Sequence, residues 1–329
     1  MDKATTPWHI GRHRGSAAER PPAPVACNET MPQRELSAND EELDPPFSIL
    51  APREQRAPFV FCSPHSGRVY PRAFLAASRL DPHALRKSED CFVDELFSGV
   101  VSLGAPLIAA RFPRAYLDVN REPYELDPEL FDSALPSHAN TQSVRVVGGL
   151  GTIARIVADG EEIYPGRLPL SEGLQRIDRL YMPFHAAIAD LIDRTRARFG
   201  FAVLIDCHSM PSATSGQGSG GRPDFVLGDR FGASCDGRLT RQVREALSAF
   251  GYDVLLNRPY AGGFITEHYG RPLRGIHALQ VEINRGLYLD EGQLAPTDGY
   301  DLLKHQLTEL AGRLFAQLPR VLERRAAAE

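Results

Sequence analysis

The sequence predicts an α/β fold: a mixed, mostly parallel central sheet with helices on both faces. Three observations predict it. Apolar runs of strand length occur at 58–62, 201–207 and 277–284. A stretch at 171–199 carries Leu174, Ile177, Leu180, Tyr181, Phe184, Ile188, Leu191 and Ile192 at helical spacing. From residue 58 onward the two patterns alternate. Strands alternating with helices bury a sheet on both faces.

Residues 1–46 are rich in Pro, Arg, Glu, Asn and Ser and sustain no period of 2 or 3.6. They are expected to form a mobile tail, the alternative being a tail that docks on the domain or on a second subunit, with 47–329 as a single α/β domain. Pro58–Cys62 reads as the first strand. Asp81, followed by Pro82 at the first helical position, starts a helix expected to reach about Leu103. Strands are expected at 105–110 and 114–119. The Gly-rich stretch 132–152 is a long loop or hairpin insertion, a length that usually carries function. After the helix at 171–199 come a strand at 201–207, a loop Ser212–Pro223, a strand at 224–228 and a helix at 233–250. Strands at 253–257 and 277–284 and a closing helix at 297–325 complete the chain.

The chain has 329 residues, 43% of them hydrophobic, and a net charge of -5. This is enough for one large domain or two small ones. No Lys/Arg block points to nucleic acid or an anionic membrane. No apolar run approaches the roughly 18 residues of a membrane span. The N-terminus lacks the apolar core of a signal peptide. The five Cys, at 27, 62, 91, 207 and 235, form no Cys-x-x-Cys pair. A disulfide scaffold is not expected, and a reducing cytoplasm is.

The strand 201–207 runs directly into Asp206, Cys207, His208 and Ser209. In open α/β sheets the chemistry lies past the carboxyl ends of strands. The strand ending at Cys62 runs the same way into Ser63, Pro64, His65, Ser66 and Gly67. One such His is most often a satisfied structural residue. Two of them, each at a strand's carboxyl end, point to a divalent metal held between them. Asp90 is expected as the third ligand, with Asp94, four residues on, as the alternative. Two His and one carboxylate are a frequent catalytic zinc set.

Gln280, Glu282 and Asn284 alternate with Leu279, Val281 and Ile283. Three polar residues on one face of an interior strand need partners. Glu282 is expected as a general base, and a buried ion pair with Arg285 or Arg155 is the alternative. Asp118, Asn120 and Arg121 read as the end of another strand, placed to orient a neighbour and clamp a carboxylate.

Together the segments Ser63–Gly67, Asp90 with Val93–Leu96, Asp118–Arg121, Gly149–Arg155, Ile205–Met210, Asn257–Gly263 and His277–Tyr288 resemble the N-formylglutamate amidohydrolase family. The resemblance spans about 55–320. It implies a fold of zinc-carboxypeptidase and aspartoacylase type, a phosphorylase/hydrolase-like architecture. Those relatives also line the substrate pocket with an Asp-x-Asn-Arg segment. They take two ligands from a His-x-x-Glu segment, but here Arg68 stands where that Glu would be.

The resemblance further implies a metal-dependent amidohydrolase cleaving N-formyl-L-glutamate to formate and L-glutamate, a step of histidine degradation. His65, Asp90 and His208 would hold zinc or another divalent metal. Glu282 would shuttle the proton. Arg121 and Arg155 would divide oxyanion stabilisation and carboxylate binding. Asn120 and Asn257 would add substrate contacts, and Asp206 would orient a ligand. His185 and His277 are expected to be structural. The expected partner is a small N-acyl amino acid, with no nucleic acid and no membrane. Two other readings compete: an amidase or peptidase of the same fold with a different substrate, and a non-catalytic binding protein.

Overall fold

The computed structural model describes residues 41–157, 160–213 and 223–326, with side chains as far as 317. A seven-stranded sheet forms the centre. Its strands are β1 (Phe47–Leu50), β2 (Phe59–Ser63), β3 (Leu107–Ala110), β4 (Ala202–Met210), β5 (Phe225–Gly228), β6 (Val254–Leu256) and β7 (Ile276–Asn284), in the order β1-β3-β2-β4-β7-β5-β6. The pairs β3/β2, β2/β4, β4/β7 and β5/β6 are parallel. Within this sheet β1/β3 and β5/β7 are antiparallel. The expected mixed, mostly parallel sheet is what forms.

The period of two along each strand sorts the core into two layers. Val60 and Cys62 of β2, with Leu204 of β4, join one layer that also takes Phe184, Ile188 and Ile192. Phe59, Phe61, Val203 and Ile205 join the other, which takes Leu239, Val243, Leu307 and Leu314. Burial on both faces explains why these strands read as near-continuous apolar runs.

The described residues form ten α-helices. The short ones are α1 (Arg72–Ala77), α2 (Pro82–Arg86), α3 (Val93–Leu96), α4 (Val100–Leu103) and α5 (Val144–Val147). The expected helix at 171–199 is present as α6 (Leu170–Arg176), a π-turn at Ile177–Tyr181 and α7 (Met182–Phe199). Next come α8 (Gly237–Ser248), α9 (Phe264–Tyr269) and the closing α10 (Gly299–Ala326).

Several expectations are corrected. The single helix from Asp81 to Leu103 is instead α2, α3 and α4. Asp81 does cap α2, accepting from Ala84 N–H at 2.9 Å. The helix then stops because Asp90 N–H bonds His65 O at 3.0 Å and Phe92 adopts a left-handed φ of 61°. That break lifts Asp90 out of a helix face and toward His65. The strand expected at 114–119 is irregular: Tyr116 and Leu117 N–H both turn back to Pro113 O. A strand that the pattern did not announce, β1, pairs at the sheet edge, and Leu43, inside the expected tail, is 2% exposed in the core. The rest of that tail, residues 1–40, and most of the expected loop, 214–222, lie outside the described residues. Among the described residues no helix is long and apolar enough to cross a membrane, and Cys62, Cys91, Cys207 and Cys235 are free and buried.

Candidate metal centre and cavity

The β4/β7 pair builds the floor of the site. Its register sets Leu204 beside Ala278, Asp206 beside Gln280 and His208 beside Glu282. These residues share one face of the sheet. The first pair belongs to the apolar core. Further along, the same face becomes polar and lines a cavity of about 530 Å³. The turn from β2 brings His65 to the same place. Gly67 is required there, since a Cβ on it would stand 2.0 Å from Phe112 O.

His65, Asp90 and His208 come together, their ligand atoms within 4.8 Å of one another. His65 Nε2 meets Asp118 Oδ1 at 2.8 Å, and His208 Nε2 meets Asp206 Oδ1 at 2.9 Å. The Nδ1 atoms of both rings face Asp90 Oδ2, at 3.5 Å from His65 and 3.0 Å from His208. Asp90 Oδ1 is already taken by Ser209 Oγ at 3.2 Å and Arg285 Nη2 at 3.1 Å. So each imidazole has one nitrogen anchored on a carboxylate, and Asp90 has one oxygen anchored on the protein. Of the three inward atoms, His208 Nδ1 and Asp90 Oδ2 bond each other at 3.0 Å. His65 Nδ1 is buried with no hydrogen-bond partner. A buried polar atom left in this way needs an explanation, and a cation is one. Carboxylate-anchored imidazoles are how proteins orient metal ligands.

The electrostatics agree. Burial works against charge on Asp90, yet bonds to His208 and His65 hold its carboxyl well below the usual range. Burial opposes a proton on His208, yet Asp206 and Asp90 raise it well above the ordinary imidazole value.

Glu282 lines the cavity and is 7% exposed. Its Oε1 accepts from Gln280 Nε2 at 2.8 Å. Burial pushes its carboxyl up to about 7, with Asp90 adding to the rise against the pull of His208. The alternative ion pair does not form. Arg285 serves Asp90, Ser209 and the Glu89 carbonyl, and Arg155 pairs with Asp127 at 2.8 Å.

The remaining expected residues divide. Asn120 and Arg121 line the cavity. Asn120 Nδ2 lies 3.1 Å from His208 Nε2, and its Oδ1 accepts from Ile265 N–H at 2.7 Å. Arg121 donates Nε to Leu150 O and Nη1 to Asn120 O, both at 2.9 Å, and holds Asp118 Oδ2 at 3.4 Å. Arg155 does not line the cavity. Its neighbours Ala154 and Ile156 do, while its own side chain is drawn off by Asp127 and Glu162. Asn257 is also elsewhere. It has a φ of 60° and ties the turn after β5, accepting from Asp229 N–H at 3.1 Å and donating to Asp229 Oδ1 at 2.8 Å. Asp94 is not in the cluster and pairs with Arg68 at 3.1 Å. His185 bonds Val119 O and Tyr269 Oη, with burial pushing it down to about 4, so it stays neutral and structural. His277 accepts from Asp236 N–H at 3.2 Å.

Among the cavity residues without an expected role are two arginines, Arg114 and Arg145. Arg114 holds Asp118 Oδ2 at 3.0 Å, and Arg145 reaches the cavity from α5. The four-residue spacing of Arg114 and Asp118 was a weak signal. Arg145 had none, because nothing in the pattern places the 132–152 loop over the strand ends.

Residues 57–289 match the sequence model of a family described as N-formylglutamate amidohydrolase. A relative named N-formylglutamate deformylase, from Pseudomonas aeruginosa, is 33% identical over 246 residues, 74% of this chain and 86% of the relative. One of the same name from Pseudomonas putida is 30% identical over the same share of both chains. The crystal structure of N-formylglutamate amidohydrolase from Ralstonia eutropha superposes with a TM-score of 0.79 at 35% identity, covering 85% of this chain and 99% of that one. A gene product of Agrobacterium tumefaciens, at 20% identity and a TM-score of 0.55, shares the fold.

Proposed function

Since the chain belongs to the N-formylglutamate amidohydrolase family, we propose that it is an amidohydrolase that cleaves N-formyl-L-glutamate to formate and L-glutamate, using a divalent metal, zinc by preference. The observation that carries the reading is the inward set of His65 Nδ1, His208 Nδ1 and Asp90 Oδ2 at the edge of a cavity that also holds a buried carboxylate, Glu282. Two imidazoles and a carboxylate suit zinc. A formamide is a poor electrophile. When bound, zinc supplies Lewis acidity that polarises a carbonyl and acidifies water.

The chain's own groups supply the rest. Asp118 and Asp206 hold the two imidazole Nε2 atoms, so each Nδ1 keeps its direction. Glu282 takes a proton from the attacking water and passes it to the amide nitrogen as the C–N bond breaks. A carboxyl pushed up to about 7 suits both halves of that transfer near neutral pH. Arg121 offers its guanidinium to a substrate carboxylate or to the developing oxyanion, and Asn120 adds a polar wall. The four buried thiols agree with a place in the reducing cytoplasm, and the substrate fits a step of histidine degradation.

The test is formate release by the purified protein from N-formyl-L-glutamate, against N-acetyl-L-aspartate and short peptides. The expected result is turnover of N-formylglutamate that a chelator abolishes and zinc restores. Preference for an acetylated substrate or a peptide would move the protein to another specificity on the same fold.

A further inference from the structure

The cavity is lined by more cations than its carboxylates need. Arg285 is committed to Asp90 at 3.1 Å and Arg114 to Asp118 at 3.0 Å. Arg230 is committed to Glu267 at 2.6 Å. Arg121 shares Asp118 and two backbone carbonyls. Arg145 has no carboxylate within ion-pair distance among the described residues, and Lys87 is the other cavity cation in that position.

Arg145 is nevertheless held in place. It projects from α5, whose first turn Ser143 caps by accepting from Val146 N–H at 3.1 Å. Ser143 Oγ donates to Glu125 in turn. Thr152 N–H bonds Glu125 O at 2.8 Å, and Gly151 packs so closely on that carbonyl that a Cβ would stand 2.4 Å from it. On the same short helix Val144 and Val147 are turned to solvent, at 90% and 75% exposure, while Arg145 lines the cavity. Arg145 and Arg121 face the same space as like charges. Burial pulls the Arg121 guanidinium down to about 10 against the opposing pull of Asp118, and the charges of Arg114 and Arg145 add to the drop. Two guanidinium groups set over one cavity are relieved by a dianion.

We propose that Arg145 is the specificity-determining cation of this cavity, taking the carboxylate at the end of the substrate's side chain, while Arg121 takes the carboxylate beside the scissile amide. This rests on the N-formylglutamate reading and deepens it. The order of the two follows from the path outward from the metal cluster. Asp118 joins His65 on one oxygen and Arg121 on the other. Arg121 Nε then holds Leu150 O, and Leu150 N–H bonds Arg145 O at 2.7 Å. Arg121 bonds the carboxylate that holds His65, and Arg145 pairs with no carboxylate of the cluster among the described residues, so Arg121 is taken as the nearer cation and Arg145 as the farther. In an N-formylated glutamate the α-carboxylate sits on the carbon that carries the amide nitrogen, and two methylenes separate that carbon from the second carboxylate. The near and far charges of the ligand match the near and far cations of the wall. A planar guanidinium also meets a carboxylate with two parallel bonds, which an ammonium cannot do. Lys87 is on a different part of the wall, where its carbonyl accepts from the Arg285 that braces Asp90.

The experiment compares N-formyl-L-glutamate with N-formyl-L-glutamine, the same shape with a neutral end, in wild type, Arg145→Met and Lys87→Met. Metal content and melting temperature are recorded on each sample. Hydrogen bonds to a charged partner are worth enough for about a 10- to 150-fold change. Arg145→Met is expected to lose that much kcat/KM on N-formylglutamate, mostly in KM. It should change by less than about 3-fold on N-formylglutamine, so the preference collapses. Arg145→Gln gives the same comparison if the apolar replacement aggregates. Equal losses on both substrates, an intact preference, or a preference erased by Lys87→Met instead would overturn the assignment. Wild-type protein that prefers substrates without the second carboxylate would overturn the substrate reading itself, and this inference with it.

Discussion

The two halves of the β4/β7 pair share one face of one sheet and do opposite things. In the first half Ala202, Leu204 and Ala278 seal the core. In the second half Asp206, His208, Gln280 and Glu282 are all buried, and the last three line a cavity. The backbone register does not change between them. What changes is the cover: α7 packs over the first half, while loops carrying Asn120, Arg121 and Gly263 come over the second. The same rigid ladder that makes a core cheap to build also fixes the positions of four polar groups. The comparison teaches that precision in the site comes from the core beside it, and that the price is a set of buried charges with no purely structural use.

The largest expected effect separates Glu282 from the proposed ligands. Glu282→Gln keeps shape and hydrogen-bonding reach but removes basicity. Turnover is expected to fall on the order of 10²–10⁴-fold, with metal content unchanged. Turnover near wild type would remove Glu282 from the mechanism. Loss of metal would make it a ligand and demote Asp90.

A smaller effect, of opposite sign in the two halves, comes from stability in the metal-free protein. Leu204→Ala, in the sealed half, is expected to cost about 2–5 kcal/mol through lost burial and a cavity. Glu282→Gln, in the lined half, is expected to stabilise. The Glu282 carboxyl rises from 4.5 to about 7 on folding. The folded state therefore binds the proton more tightly than the unfolded one. Wild type then loses stability as pH rises from about 4.5 to 7, by up to about 3 kcal/mol, and Glu282→Gln escapes that loss. The difference between variant and wild type should vanish below pH 4.5 and be fully present above 7. Denaturant melts at several pH values check it. A gap that does not grow across that window would show that the rise is absent in solution.

The sealed half was the more legible in the sequence. Phe59–Cys62 and Ala202–Ile205 read as strands because burial on both faces leaves only apolar residues. His65, His208 and Glu282 were legible because they follow or end such runs, where chemistry is expected. What failed was local. The helix expected over 81–103 was broken by one backbone bond from Asp90 to His65, a contact between segments that no local period records. Arg155 and Asn257 sat in the family's motifs and looked like site residues, yet Asp127 and Asp229 hold them elsewhere. Arg145 was invisible for the converse reason. It comes from an irregular loop whose path over the cavity is fixed by contacts to Glu125, not by its own pattern. The half-exposed edge strand β1 was missed because four residues flanked by prolines carry too little alternation to stand out.

The central claim is that His65, Asp90 and His208 form one divalent-metal site. Metal analysis of purified wild type, Glu282→Gln and the double variant His65→Ala/His208→Ala, each loaded with zinc and then desalted, tests it most directly. The expected result is about one zinc per chain in the first two and a loss of well over 10-fold in affinity in the third, with its fold intact by circular dichroism. Stoichiometric zinc in the folded double variant would contradict the account.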